Sequence, residues 1–364
     1  MFTRLEYYLI QRFVISFFKT FLTFLLLLYF VSLLDEFNLF RKNEEVSFLT
    51  YIILSIYKMP SIIFNVFPFI MLFSGIFFFL KIYNDNEIIP IRIAGFSNLK
   101  ILIIPSTIAF IFGYMLIFFF SPLSSFFSKN YENLKKNFNQ EQNLFFFNQT
   151  GTWLVEEKNE EKFIIRIGKF AKDLKSVEDI TIFNFDKKDN FLKRYDSKTA
   201  IVEKKNLILQ DVKISIETSK KKNISNLKEF KLDTSYDLSD LKKYYKSPET
   251  ISFLDLKEEI KFYEKLGYNT LDLIIRYKMI FTLPIYLFSM VFLSGLMIIN
   301  LQKTSNTFFY TIAGVLISVG FHFLSNFSQT LTKSEVINID FSVWIPIFVI
   351  FLINLIGIIQ VNAK

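Results

Sequence analysis

The stretch FVISFFKTFLTFLLLLYFVSLL, residues 13–34, is long and apolar enough to cross a lipid bilayer, and it carries one charge, Lys19. A spanning helix needs about 20 mostly apolar residues. Five similar stretches follow, and the predicted spans are residues 13–34, 60–80, 99–120, 277–301, 308–330 and 341–361. Residues 48–56 are apolar but too short to span, so we expect an interfacial or bundle-packed helix there, leading into the second span. The sequence therefore predicts a polytopic α-helical membrane protein, with a first span that is retained because no small-residue cleavage site follows it.

Charged residues are concentrated between the third and the fourth span. Residues 123–268 hold 28 of the 42 Lys/Arg and 24 of the 34 Asp/Glu. This segregation is not that of a single soluble globule. The predicted order is three spans in 1–122, a water-soluble domain in 123–250, a helix in 251–268 and three further spans in 269–364. The basic residues form no stripe with interleaved aromatics, so no nucleic-acid partner is expected.

Short segments rich in β-branched or aromatic residues fill the soluble domain. They are residues 152–157, 162–167, 180–185, 199–203, 206–210 and 212–216. Many short strands at regular spacing predict an antiparallel sandwich or barrel. In the helix that follows, Ser252 is the expected N-cap with Asp255 three residues later, and Gly267 is the expected C-terminal stop.

Two of these strands are apolar on both faces. In 162–167, Phe163 and Ile165 alternate with another isoleucine, and in 180–185, Ile182 alternates with Phe183. A half-exposed antiparallel strand should instead alternate between apolar and polar residues. The second face needs cover, either from another sheet in a filled sandwich or from a bound lipid, and the pattern leaves both open.

Basic residues in the short loops favour one orientation in the membrane. On the side of the two termini lie Arg4, Arg12, Lys81, Arg92, Lys100, Lys303 and Lys364, and on the other side lie Arg41, Lys42, Lys58 and Lys333. The positive-inside rule then places both termini in the cytoplasm and the soluble domain outside.

Residue types that catalyse reactions or hold metals are scarce. The chain has no cysteine and one histidine, His322, and it lacks the GxxxxGK[ST] pattern of an ATP-binding P-loop. His322 lies in the fifth span, where we expect it to pack in the bundle and bond to a hydroxyl or carbonyl; a proton-relay or substrate role is the alternative. We therefore predict no catalytic residue, no metal site and no cofactor, which favours transport or scaffolding over catalysis.

The loop between the second and third spans, YNDNEIIPIRIAGFS (83–97), has the features of a short amphipathic helix. Asp85 or Asn86 can cap it, Glu87 suits its positive end, and Gly95 can terminate it. A minimal connector needs no helix of its own. Residues 84–96 therefore predict a docking element for a cytoplasmic partner.

Several motifs in this order resemble the LptF/LptG permeases of lipopolysaccharide export. The loop has Asn86-Glu87-Ile88, then Arg92 and Gly95, where that family has S-E-L-x-x-x-R-x-x-G. The other matching segments are Leu34-Asp35-Glu36-Phe37, Pro68, GTWLVEE with KFIIRI, ISFLDL with Tyr263 and Leu266-Gly267, Arg276-Tyr-Lys278 with Pro284, Gly314, and Trp344-Ile-Pro346. The resemblance covers almost the whole chain, and the Gly-x-Trp segment is more like LptG.

The resemblance implies a fold, a location and partners. The fold would be six spans, three on each side of an inserted periplasmic antiparallel β-sandwich of jelly-roll type, in the inner membrane of a Gram-negative bacterium. The implied partners are a paralogous permease of the same fold, a dimeric cytoplasmic ABC ATPase, periplasmic bridge proteins with similar β domains, and lipopolysaccharide as the substrate. ATP hydrolysis would belong to the partner chain, so this chain is expected to be a transport subunit and not an enzyme.

Three groups of residues are the expected sites. The ATPase would dock on Asp85, Asn86, Glu87, Ile88, Arg92 and Gly95. Four cations lie at the outer ends of spans one and four, where the positive-inside rule disfavours them: Arg41, Lys42, Arg276 and Lys278. They would contact lipid phosphates, and the alternative is that they only snorkel to the interface. The acyl path in the β domain would include Phe163, Ile165, Ile182 and Phe183.

Two other functions remain open at this point. One is a different ABC-type permease, for efflux or lipoprotein release. The other is a membrane-anchored envelope scaffold or sensor without transport. Copurification of an ATPase would separate the scaffold from the two permeases.

Overall fold

The computed structural model describes residues 4–40, 47–138, 152–158, 161–170, 176–186, 190–203, 206–218, 221–233, 247–265, 270–300 and 307–362. The chain divides into two compact units. The membrane unit comprises Met1–Leu134, Pro248–Lys257 and Leu271–Lys364, and the β unit comprises Lys135–Ser247 and Glu258–Thr270.

Nine helices are found in the described ranges. They are α1 Arg4–Phe40, α2 Phe48–Asn84, α3 Ile88–Ile93, α4 Asn98–Met115, α5 Ser121–Phe138, α6 Phe253–Lys265, α7 Leu271–Asn300, α8 Thr307–Lys333 and α9 Ile339–Asn362. A π-helical turn, Leu116–Phe120, joins α4 to α5 in one continuous helix. Six helices of the described chain are long and apolar enough to cross a membrane, three before the sheet and three after it. The predicted six-span architecture with an inserted antiparallel sheet is confirmed.

Two helices run further than their sequence predicted. Residues 48–56 are the first turns of α2 and do not form a separate helix; Pro60 and Pro68 lie inside the continuous helix, which neighbouring helices make possible. The third span does not end at 120 but continues to Phe138. The π turn lies just before Pro122, which has no N–H to offer the preceding turn.

The centre of the membrane unit is formed by α2 and α7. In their most apolar windows 67% and 78% of the residues are buried, against 11% in α1 and 22% in α8. Small residues allow the close crossings: a Cβ at Gly113 would lie 2.5 Å from Pro284 Cα, and one at Gly75 would lie 2.0 Å from Ser294 Oγ. Much of the apolar surface of α1 and α8 is consequently left for lipid or another protein.

The β unit contains one antiparallel sheet of six strands in sequence order, a meander. Its strands are β1 Thr152–Lys158, β2 Glu161–Phe170, β3 Ser176–Phe185, β4 Phe191–Glu203, β5 Asn206–Thr218 and β6 Lys221–Asp233. The inserted antiparallel sheet that the sequence predicted is therefore present among the described residues. The order follows from the short links, each of which pairs a strand with the next one along the chain.

The long strands of this sheet bend along one row of residues. The strand pairing aligns Gly168, Asp179, Lys198, Asp211 and Lys228 across the sheet, a row that we call the bend row. Asp179 and Asp211 have positive φ values of 55° and 50°. Across the bend row, successive buried side chains are three residues apart instead of two: Val177 and Ile180, Ser197 and Ala200, Leu209 and Val212. The shift keeps the buried face on the same side of the sheet before and after the bend.

An aromatic contact shows how far the sheet folds over. Tyr195 and Phe230 stack with ring centroids 4.4 Å apart, although they lie on opposite sides of the bend row and two strands apart. In a flat sheet their Cα atoms would be about 19 Å apart. The two arms of the sheet therefore face each other, and the buried cluster between them consists of strand residues. A single bent meander thus gives the two layers that the sequence predicted as a sandwich.

Gly168 makes the bend row testable. A Cβ at this position would lie 2.8 Å from Asp179 Cβ and 3.0 Å from Asp179 O. Gly168→Ala should destabilise the β unit by about 1–3 kcal/mol, because the neighbouring backbone must shift. Gly320→Ala in α8, where nothing lies within 4 Å, is the control. Temperature-dependent proteolysis of the full chain would report the change, and identical cleavage of both variants would contradict tight packing at the bend.

Candidate functional site

The loop between α2 and α4 contains a well-terminated short helix, α3. Gly95 has φ 89°, its N–H donates to Arg92 O at 2.9 Å, and the Phe96 N–H donates to Ile91 O at 3.3 Å. These two bonds form a Schellman C-cap, as Gly95 predicted. The expected N-caps are wrong: Glu87 occupies the cap position without a side-chain cap bond, and Asn86 is left-handed with φ 56°.

The Glu87 carboxylate is held by α1. Arg12 Nη2 donates to Glu87 Oε1 at 3.0 Å, and the Tyr8 hydroxyl donates to the same oxygen at 2.8 Å. The Arg12 guanidinium also lies over the Tyr8 ring, 5.1 Å from its centroid. The Glu87 side chain is thus an internal anchor that ties the start of α3 to α1, although the sequence pointed to a partner for it.

The outward face of α3 is apolar. Ile89 and Ile93, four residues apart, are 62% and 82% exposed, and the Arg92 side chain is exposed between them, whereas Ile91 is buried beneath. Exposed isoleucines at the tip of an anchored loop form a small apolar surface with one cation. The Glu87 carboxylate is turned towards α1, so the exposed face of α3 consists of Ile89, Arg92 and Ile93.

The residues expected to contact lipid phosphates do not come together. Arg41 and Lys42 lie outside the described residues. Lys278 Nζ is 2.5 Å from Asp340 Oδ1, which ties α7 to α9. Arg276 has a buried Nε without a hydrogen-bond partner in the described structure and is attracted by Glu249. Two residues apart on a helix, Arg276 and Lys278 point to nearly opposite faces.

A buried carboxylate that the sequence analysis gave no role lies at the same end of the bundle. The Glu36 side chain is fully buried; Lys58 Nζ lies 3.1 Å from its Oε1, and the Tyr131 hydroxyl donates to the same oxygen at 2.9 Å. Its Oε2 has no partner among the described atoms. Tyr131 belongs to the part of the chain that was assigned to the soluble domain, so sequence reasoning could not pair the two.

The segment that follows the sheet is fixed to the membrane unit. Ser61 Oγ donates to Glu249 Oε2 at 3.0 Å, and the Phe253 N–H donates to Ser121 Oγ at 2.9 Å. The Phe253 ring stacks on Tyr277 at 5.2 Å. Ser252 caps α6 as predicted: the Asp255 N–H donates to Ser252 Oγ at 3.4 Å, and the Ser252 hydroxyl donates to Asp255 Oδ2 at 2.7 Å; Gly267 lies outside the described residues. Residues 248–253 therefore join α2, α5 and α7 beside Arg276.

A comparison with known families identifies this arrangement. The model of the lipopolysaccharide export system permease family LptF/LptG matches residues 7–360, nearly the entire chain. The chain belongs to the LptF/LptG family. It is therefore an inner membrane protein and a permease subunit for lipopolysaccharide export. The same family model describes LptF and LptG, so the leaning towards LptG stays a prediction, and a search among curated proteins finds no match.

In this LptF/LptG chain, the expected acyl-path residues divide between the two faces of the sheet. Phe163, Ile165 and Ile182 belong to the inner face, where Ile165 and Ile182 are directly paired and buried. Phe183 lies on the outer face, near Phe191 and beneath the Arg194 guanidinium. The inner three form one surface, and Phe183 is not part of it.

Polar groups lie at one end of the inner face. Asn184 Nδ2 donates to Glu161 Oε2 at 3.0 Å. Burial, and then the nearby Glu161 carboxylate, raise the pKa of the Tyr195 phenol, while the bond with Asn184 lowers it. The phenol therefore stays protonated at neutral pH, and the inner face is apolar with a neutral or hydrogen-bonded polar end.

The sequence predicted a hydrogen bond from His322 to a hydroxyl or a carbonyl. Among the described residues its hydrogen-bond partner is instead the side chain of Asn326. The His322 ring is on an exposed side of α8, with Asn326 Nδ2 3.0 Å from Nε2 and the Phe69 ring at its edge. No group of three or more potential metal ligands occurs in the described part of the chain. The features of this LptF/LptG chain that do stand out are the anchored loop, the buried Glu36 cluster and the bent sheet.

The anchor of α3 can be tested with a cysteine at position 91, since the chain has no other cysteine. Ile91 is buried under α3, so the thiol should react slowly with a maleimide. Glu87→Gln or Arg12→Gln should speed labelling about fivefold, a loss of about 1 kcal/mol after allowance for partial exposure. The double variant should be no faster than either single one.

The matched control for this experiment is Asp85→Asn, which removes an exposed carboxylate from the same turn. It should leave the labelling rate unchanged. Additive effects of Glu87→Gln and Arg12→Gln would show that the two side chains act separately and would contradict the anchor.

Proposed function

We propose that this chain is the permease half of an ABC-type lipopolysaccharide exporter whose ATPase is a separate cytoplasmic dimer docking on α3. The observation that carries the proposal is the exposed pair Ile89 and Ile93, with Arg92 between them, on a loop anchored by Glu87. Asp85, Asn86, Ile88 and Gly95 shape the same loop. A helix with exposed apolar residues fits a groove in a partner protein.

The anchor supplies a route from the ATPase to the membrane. A displacement of α3 reaches α1 through the Glu87 carboxylate, Arg12 and Tyr8. α1 is the least covered of the candidate spans, so it can move with little loss of packing inside this chain. Its exposed face, with that of α8, is the surface we assign to a paralogous permease.

The orientation we propose places α3 and both termini in the cytoplasm. Arg4, Arg12, Lys81, Arg92 and Lys100 cluster around the α3 end of the described chain, as the positive-inside rule requires of a cytoplasmic side. The β unit then lies in the periplasm, where bridge proteins with similar β domains would continue the path.

Lipopolysaccharide is proposed to enter at the other end of the bundle and to pass to the β unit. Arg276, Lys278, Arg41 and Lys42 are assigned to its phosphates; among them Arg276 has the buried, unpaired Nε that an anionic oxygen could satisfy. The acyl chains are assigned to the inner face of Phe163, Ile165 and Ile182, reached when the two arms part at the bend row, with Phe183 on the outside. Taking a multi-acyl lipid out of hydrocarbon costs about 0.8 kcal/mol per CH₂, so ATP must drive the step.

Docking on α3 can be tested by ATPase copurification. Ile89→Ser with Ile93→Ser should weaken binding more than a hundredfold, because two buried isoleucines contribute about 3 kcal/mol or more. Arg92→Glu should also weaken it. Phe48→Ser with Leu49→Ser, an equally exposed pair at the far end of α2, is the control and should retain the ATPase.

Variants of Glu87 give a second test of docking on α3. Glu87→Arg should lose the ATPase, and adding Arg12→Glu should restore it by re-forming the ion pair. If the swap does not restore binding, Glu87 contacts the ATPase directly. Full retention of the ATPase by the Ile89 and Ile93 variant would reject docking on α3.

The lipid path can be tested by closing the arms of the sheet. Cysteines in place of Tyr195 and Phe230, whose rings touch across the bend, can be joined by a short bifunctional thiol reagent. Photocrosslinkers at Phe163 and at Arg276 should both trap lipopolysaccharide in the ATP-driven complex. Joining the arms should abolish trapping at position 163 and preserve it at 276.

The control joins Val202 to Leu207, which are directly paired within one arm. Cysteines there should leave trapping at position 163 intact. Unchanged trapping at 163 with the arms joined would show that the lipid does not pass between them.

A further inference from the structure

A groove between α1 and α8, part of the face assigned above to a paralogous permease, contains a cation, Lys19, that the proposed function does not use. Its floor is the last part of α2, and its walls are the first half of α1 and the first turns of α8. The cavity has a volume of about 800 Å³, within the range of small-molecule sites. Phe24, Leu27, Phe73, Phe77 and Val315 form its apolar part.

Lys19 is the residue of this groove that indicates a ligand. It is the seventh residue of the apolar run 13–34 of α1, about 10 Å deeper than Arg12, and its side chain lines the groove. In the described part of the chain no carboxylate pairs with Lys19. An unpaired ammonium at this depth is costly, and such groups face partners or polar cavities.

Lys81 extends from the α2 floor of the groove towards the same level. Side chains lean towards the N-terminus of their helix. α1 and α2 are antiparallel, as the ring contacts of Phe13 with Phe78 and of Phe24 with Phe73 show. Lys19 therefore leans towards the α3 end, and Lys81, near the end of α2, leans into the membrane.

The charged side chains that line the groove are cationic, and Arg12 is the one with a carboxylate partner in the described chain. The ionisable lining of the groove is Arg12, Lys19 and Lys81 together with Tyr8, and no acidic side chain lines it. Arg12 is engaged by Glu87. The hydroxyls of Ser16, Thr20 and Thr23 donate to backbone carbonyls, which leaves the two lysines to meet an anion.

We propose that this groove binds an anionic glycerophospholipid from the leaflet next to α3. Its phosphate lies between Lys19 and Lys81, and an acyl chain follows the apolar wall of Phe24, Leu27, Phe73 and Phe77. The site is separate from the proposed export path. Lys81 lies about 30 Å along α2 from Ser61, the residue beside Glu249, and this is the thickness of the hydrocarbon core.

Lipid titration followed by native mass spectrometry tests the site. The full chain, purified with the permease and ATPase that accompany it, would be titrated with dioleoylphosphatidylglycerol and with dioleoylphosphatidylcholine. The wild type should prefer the anionic lipid. Lys19→Gln and Lys81→Gln should each reduce that preference about fivefold, and both together about 25-fold.

Two controls separate the groove from general charge. Arg4→Gln removes an exposed cation from the same helix end, outside the groove, and should change nothing; Lys19→Arg should retain the preference. Leu27→Trp fills the groove and should weaken both lipids, whereas Leu26→Trp, its equally exposed neighbour outside the groove, should weaken neither.

Equal retention of the two lipids by the wild type would overturn the proposal. So would a full preference in the double lysine variant. Binding by the isolated chain that disappears in the complex would show instead that a second permease covers the groove. The isolated chain can be titrated in the same way without the ATPase, so the lipid site and the proposed function can fail independently.

Discussion

Hydrocarbon offers no hydrogen-bond partner, so a charged side chain inside the membrane unit needs a partner from the protein or from the lipid. Glu36 meets this condition with Lys58 and Tyr131, and Glu87 meets it with Arg12 and Tyr8. The first cluster joins α1, α2 and α5, and the second joins α1 to the α3 loop at the opposite end. These few polar contacts fix which helices move together, because apolar packing alone specifies little between helices in lipid.

The β unit must also cover surface that cannot face water, and it does so by bending its sheet. A single sheet with a fully apolar face must cover that face, and here the sheet covers itself by bending at the bend row. Asp179 in β3 and Asp211 in β5 have left-handed backbone conformations and lie at the bend. Because no separate second sheet has to be moved, the two arms share one continuous hinge, which is a geometry suited to opening.

The sequence predicted what depends on local composition. The six spans follow from hydropathy, since the bilayer demands long apolar helices, and the Schellman end of α3 follows from Gly95. The role of Glu87 depends on Arg12, 75 positions away, and that of Glu36 on Tyr131, 95 positions away, so no local pattern contained them. The bend corresponds to a three-residue spacing between the apolar residues Val177 and Ile180. A search for strict alternation, in which apolar residues are two positions apart, does not detect it.

The anchor on Glu87 changes how the loop between α2 and α4 should be understood. If the carboxylate were the docking group, the loop would transmit force only through its own backbone to α2 and α4, which are packed against the central α7. Because Glu87 is bonded to α1, a push on α3 in the proposed exporter would be delivered to the helix with the least packing to lose. In the proposed exporter, the apolar face of α3 supplies attachment, the ion pair supplies direction, and the loosely covered α1 supplies the movable part. This proposal gives separate roles to the exposed isoleucines within α3 and to the carboxylate of Glu87, which is turned inward at the cap position before α3.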